Sequence, residues 1–96
     1  MALTPESRIK KSIKDYLNKL GVWHFSPPAN GFGRSGIPDL ICCHQGAFIG
    51  IEVKAPGKIK NTTTMQDREI EGINAAGGTA LVVDDVAQIK HIFERN

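Results

Sequence analysis

The sequence predicts an α/β fold with its elements in the order helix, three strands, helix, strand, helix. Three features lead to it. Apolar residues recur at helical spacing near the start; two strand-like apolar runs follow a stretch rich in glycine and proline; and "TALVV" lies between two further helical patterns.

Thr4 is placed to cap the first helix, with Pro5 at its first position, where proline's fixed φ fits and its missing N–H is not needed. Ile9, Ile13, Tyr16, Leu17 and Leu20 form one stripe, and Gly21 ends the element. Glu6 projects along that stripe, so its carboxylate is expected to point inward from the helix start. "VWHFS" (Val22–Ser26) reads as a short strand. Pro27–Pro38, "PPANGFGRSGIP", cannot be regular; at about twelve residues it is long for a connection in a small domain, which favours a functional role.

Asp39–Cys43 reads as a strand, His44–Gly46 as a three-residue turn, and Ala47–Lys54 as the returning strand of a hairpin. After the loop "APGKIKNTTT", Thr64 with Asp67 three residues on marks a helix start. That helix runs to about Ala76, where Gly77 and Gly78 stop it. Thr79–Val83 is a buried strand. Asp85 with Gln88 then opens a last helix carrying Val86, Ile89, Ile92 and Phe93.

With 96 residues the chain is expected to form one domain, 1–96, whose thin core makes an inward charge costly. No apolar run approaches the roughly 18 residues of a membrane span. The N-terminus lacks the apolar block of a secretory signal, so cytoplasmic residence is expected. A formal charge of +2 does not announce a nucleic-acid partner, but its distribution is uneven. Arg8, Lys10, Lys11 and Lys14 cluster in the first helix, while Lys54, Lys58 and Lys60 follow the hairpin. Cys42 and Cys43 are adjacent, which makes a bridge between them geometrically poor. With His44 they lack the spacing and second cluster of a zinc site, and they read as buried, reduced filling.

The hairpin carries the chemistry. Strand alternation puts Ala47, Ile49, Ile51 and Val53 on one face, and Phe48, Gly50, Glu52 and Lys54 on the other. Asp39 begins the partner strand near the end where Glu52 and Lys54 finish, so the three charges converge between two loops. A structural ion cluster would be weak evidence for stability, because desolvation can exceed the Coulombic gain. Two carboxylates in register instead suit Mg²⁺ or Mn²⁺, and a neighbouring lysine can position an attacking water and offset phosphate charge.

"PD" at Pro38–Asp39 followed by "EVK" at Glu52–Lys54 resembles the PD-(D/E)-x-K nuclease signature. With "RSGIPD" and Gln66, the chain more narrowly resembles the VRR-NUC family, and within it the stand-alone phage and bacterial proteins similar to Holliday-junction resolvases. The resemblance implies a restriction-endonuclease-like core, with a mixed central sheet flanked by helices. It implies a metal-dependent endonuclease acting on branched DNA as a homodimer in a bacterial cell. Asp39 and Glu52 would bind Mg²⁺ or Mn²⁺ with the Val53 carbonyl, and Lys54 would orient the water. Glu6 would reach the metal or a bound water, and Gln66 would hydrogen-bond Lys54 or the scissile phosphate. Gly31, Phe32, Gly33 and Arg34 would lie near the cleaved strand, with Lys58 and Lys60 as further DNA contacts.

A different class remains open: a catalytically silent nucleic-acid-binding module of the same fold. Retention of Asp39, Glu52 and Lys54 argues against it. A restriction-type enzyme reading a defined sequence shares the chemistry, but the chain has no room for a separate target-reading domain.

Overall fold

The computed structural model describes residues 3–28 and 33–94. Helix α1 (Pro5–Leu20) starts as expected: the Ser7 amide donates to Thr4 Oγ1 at 3.1 Å. Gly21, in the left-handed conformation at φ 71°, ends it. Its apolar stripe buries Ile13 and Leu17 completely, both 0% exposed. Strands β1 (Trp23–Phe25), β2 (Leu40–His44), β3 (Ala47–Val53) and β4 (Thr79–Val83) form one four-stranded sheet in the order β1-β2-β3-β4. The first two pairings are antiparallel and β3–β4 is parallel, so the sheet is mixed. A parallel pair needs a long crossover, which helix α2 (Thr64–Ala75) provides.

The hairpin differs in detail from expectation. His44 pairs with Ala47, leaving a two-residue turn in which Gln45 and Gly46 take φ of 51° and 82°. Turns of this hand match the twist of the flanking strands, and so displace the expected three-residue loop. β2 accordingly runs one residue further, and its register of Leu40 to Ile51 sets Asp39 opposite Glu52, one step past the last pair.

The chain end also departs from a regular helix. Val86–Ile89 is a 3₁₀ turn, followed by the single α-turn α3 (Lys90–Phe93). Side chains tighten this segment: Asp85 Oδ1 accepts from the Ala87 amide at 2.8 Å, and Gln88 turns back to bond Asp84 through both its amide atoms, at 2.8 and 2.7 Å. Helix α2 likewise begins one residue earlier than expected, at Thr64 itself. Thr63, not Thr64, occupies the cap position, and its capping-box partner is Gln66 rather than Asp67.

Strand parity divides the apolar residues as expected. Leu40, Cys42, Ile49, Ile51, Val53 and Val83 point to the face covered by α1 and the C-terminal turns, forming the core with Ile13, Leu17, Ile89 and Phe93. α2 covers the β3–β4 half of the other face, where both amide atoms of Asn74 bond the Ala80 backbone, at 3.1 and 2.8 Å. At Gly50 a Cβ would lie 2.9 Å from Pro38 Cγ, so the absent side chain lets the 33–38 segment pack directly on the strand. Among the described residues no helix covers the β1–β2 half of this face: Trp23, Phe25 and Cys43 are exposed there, with Phe48 of β3 beside them. Only one of the two cysteines is therefore buried filling. Burial pushes the Cys42 thiol up to about 11, while alternation turns Cys43 outward.

Ile51 sits at the centre of this arrangement, fully buried. Ile51→Ala is expected to destabilise the protein by about 2–5 kcal/mol, from lost transfer energy and an unfilled cavity, measured as a lowered urea midpoint at unchanged slope.

Candidate active site

The end of the hairpin, the 33–38 segment and the first turn of α2 enclose a pocket of about 370 Å³ whose lining includes Asp39, Glu52 and Gln66. Asp39 is fixed by the backbone it faces: the Val53 amide donates to Asp39 Oδ2 at 2.8 Å. Glu52, only 3% exposed, is the buried charged residue of the described chain. Its Oε2 accepts from Gln66 Nε2 at 3.0 Å and lies 3.6 Å from Lys54 Nζ. Its Oε1 is buried with no hydrogen-bond partner among the described residues. Burial first, and the charge of Asp39 second, push the Glu52 carboxyl up to about 8; Lys54 only partly opposes this.

Gln66 organises the polar side of the pocket. Its Oε1 accepts from the Thr63 amide at 2.9 Å, closing the capping box, and from Lys54 Nζ at 3.0 Å. Its Nε2 holds Glu52. One side chain thus satisfies an orphan amide of the helix start and orients both members of the Glu-x-Lys pair. The helix start is set in turn by Gly36, whose φ is 85°: a Cβ there would fall 2.4 Å from the carbonyl carbon and oxygen of Met65 and 2.7 Å from the Gln66 nitrogen. No other residue allows the 33–38 segment to lie so close to α2.

Asp39, Glu52, Lys54, Val53 and Gln66, all singled out in the sequence, are thus brought together. Glu6 is not inward as expected. It is exposed at the open start of α1, although its charge still adds to the upward push on Glu52. The helix turns Lys10, one turn on, toward the hairpin instead: Lys10 Nζ lies 3.3 Å from Asp39 Oδ1. Sequence reasoning missed this contact; the signal available was the four-residue spacing from Glu6, which puts the two on one helix face.

Of the expected DNA contacts, Gly33 and Arg34 line the pocket, and Arg34 Nε donates to Glu69 Oε2 at 2.8 Å from a side chain that is 76% exposed. Lys58 and Lys60 are exposed on the β3–α2 connection and do not line it. Gly31 and Phe32 lie outside the described residues. His44 packs edge-on against Phe93 at 5.3 Å, and among the described residues no three His, Cys, Asp or Glu side chains gather in one cluster. The metal-like look of "CCH" is packing.

A mixed sheet flanked by helices, with Asp, Glu-x-Lys and Gln at one mouth, defines a domain of the PD-(D/E)-x-K nuclease class. Comparison with protein-family models gives no match, and no curated protein matches either. A solved structure described as a "VRR_NUC domain" is similar at a TM-score of 0.72 and 31% identity, covering 94% of this chain and 95% of that one. The chain belongs to the VRR-NUC family of nuclease domains.

Gln66→Ala is expected to cost about 1–2 kcal/mol of stability, since it opens the capping box and leaves Glu52 and Lys54 unanchored; thermal unfolding of the purified variant measures it. Metal-free protein should also lose stability as pH rises. Between the ordinary carboxyl value of 4.5 and about 8 the folded state holds the Glu52 proton and the unfolded state does not, so the stabilisation present below 4.5 is gone above 8. Melting temperatures in chelator across pH 4–9 should show this decline, and Glu52→Gln should flatten it.

Proposed function

We propose that this protein is a Mg²⁺- or Mn²⁺-dependent endodeoxyribonuclease that hydrolyses phosphodiester bonds in branched DNA, such as four-way junctions, and acts as a homodimer in the bacterial cytoplasm. One observation carries the reading: a buried carboxylate oxygen of Glu52, without a partner among the described residues, beside a second carboxylate in one pocket, while the other Glu52 oxygen is held by an amide and lies 3.6 Å from an ammonium. Such an oxygen fits a divalent cation, which would offset the burial and the Asp39 charge that chiefly raise the Glu52 carboxyl.

Asp39 and Glu52 would hold the metal with the Val53 carbonyl, leaving the rest of its shell to water and a phosphate oxygen. When bound, the metal supplies Lewis-acid polarisation of the phosphate and a lower pKa for water. The protein's own groups do the positioning. Lys54, held by Gln66 Oε1, keeps its ammonium beside Glu52, where it can orient the attacking water and offset charge on the phosphate. Gln66 keeps that ammonium from collapsing fully onto the carboxylate. Exposed Glu6, whose charge reaches Glu52, would accept from a water bound at the site. Gly33 permits close approach of a strand, and the exposed Arg34 can exchange Glu69 for a phosphate. Lys58 and Lys60 would meet the duplex further out.

The uncovered sheet half supports pairing of two copies. Trp23, at 60% exposure, stands with Phe25, Cys43 and Phe48 in an apolar patch without a cover from the described chain. A pair would double the phosphate contacts available to one small domain. Among the described residues no helix is long and apolar enough to cross a membrane.

Incubation with labelled four-way junctions, flaps and plain duplexes in Mg²⁺ or Mn²⁺ tests the reading. Cleavage is expected with junctions favoured, reduced at least about 100-fold by Lys54→Ala or Asp39→Ala. An inert wild type, or undiminished variants, would refute it. Light scattering should give twice the chain mass, reverting to one chain in Trp23→Glu.

A further inference from the structure

The proposed metal site already contains a cation of the protein's own. Lys10 Nζ lies 3.3 Å from Asp39 Oδ1, and both side chains are largely withdrawn from water, 29% and 23% exposed. Oδ1 is the Asp39 oxygen that an incoming ion would share with Lys10, while Oδ2 already accepts from the Val53 amide. Lysine carries three donors on a flexible stem and binds as a compact point charge, so it leaves a carboxylate more readily than a bidentate arginine does. Arg8, Lys11 and Lys14 share the helix but make no such contact: Lys11 pairs with Asp15, at 2.8 Å.

We propose that Lys10 is a displaceable counter-ion of the metal site, a positioning residue whose ammonium neutralises Asp39 until Mg²⁺ or Mn²⁺ takes that oxygen. Metal uptake is then an exchange of cations at Oδ1. The ammonium stays tethered by α1 at the rim of the pocket. There it faces Glu6, one turn back on the same helix in the favourable Glu-to-Lys order, and any phosphate that the metal draws in. The exchange keeps Asp39 paired and correctly turned without metal. Its cost is weaker metal affinity in the absence of DNA, since a paired carboxylate must be freed before it ligates. The inference rests on the metal-site reading given above and adds to it the group that competes for the site.

Calorimetric titration of Mn²⁺ into wild type, Lys10→Met and Lys14→Met tests it. Lys10→Met is expected to bind Mn²⁺ about tenfold more tightly than wild type, and Lys14→Met to change affinity less than about twofold, which separates the contact from the general field of the helix. Curves for Lys10→Met and wild type that overlay would overturn the exchange while leaving the metal site standing; flat titrations of all three would overturn the metal site with it. Trace acetylation read by mass spectrometry gives a second measure on the unmodified chain. Labelling of Lys10 should rise on adding Mg²⁺ while that of Lys58 stays level, and equal labelling of Lys10 with and without metal overturns the proposal.

Discussion

Glu52 is a carboxylate placed where a small domain can least accommodate one, on a central strand, 3% exposed, with one oxygen unsatisfied. The surroundings are arranged around that placement. Gln66 is committed to it through Nε2, Lys54 lies against it, and Asp39, opposite in register, adds a charge that pushes its carboxyl up. Fold stability alone would not favour such a cluster, because apolar residues of similar volume would pack there at lower cost. The strain is electrostatic, of the kind that the proposed divalent cation at the free oxygen would relieve.

The scaffold makes the cluster rigid by building it from main-chain contacts. Asp39 is held by the amide of Val53, and Lys54 leaves the sheet with its own amide bonded to the Val83 carbonyl at 2.9 Å, inside the parallel pairing. Gln66 is held by the helix cap it completes. Charged groups set by strand and helix geometry keep their separations as ligands come and go, which side chains on open loops could not do as well.

Much of this was legible in the sequence because it depends on parity. A period of two fixed Glu52 and Lys54 on one side of β3, and the hairpin fixed Asp39 across from them, even though the turn length was misjudged by one residue. The turn was hidden because Gln45 adopts a left-handed conformation that its residue type does not advertise. The cap of α2 was misplaced because three consecutive threonines offered equal candidates, and only the position of Gln66 separates them. Helical periodicity gave the stripe of α1 but not its exact rotation on the sheet, so Glu6 was expected inside and Lys10 was overlooked. Cys43 was expected inside because composition says nothing of which sheet half lacks a helix.

Gly36 gives the pocket a mechanical property. The wall formed by residues 33–38 touches the Met65–Gln66 peptide with no side chain between them. There is nothing compressible at that junction. A DNA strand pressing on the wall would therefore push on the start of α2, and through it on the amide that holds Lys54 and Glu52. With the proposed substrate seated, the wall, the helix start and the ammonium–carboxylate pair would move as one body with their separations kept, through a joint that only a missing methyl group allows.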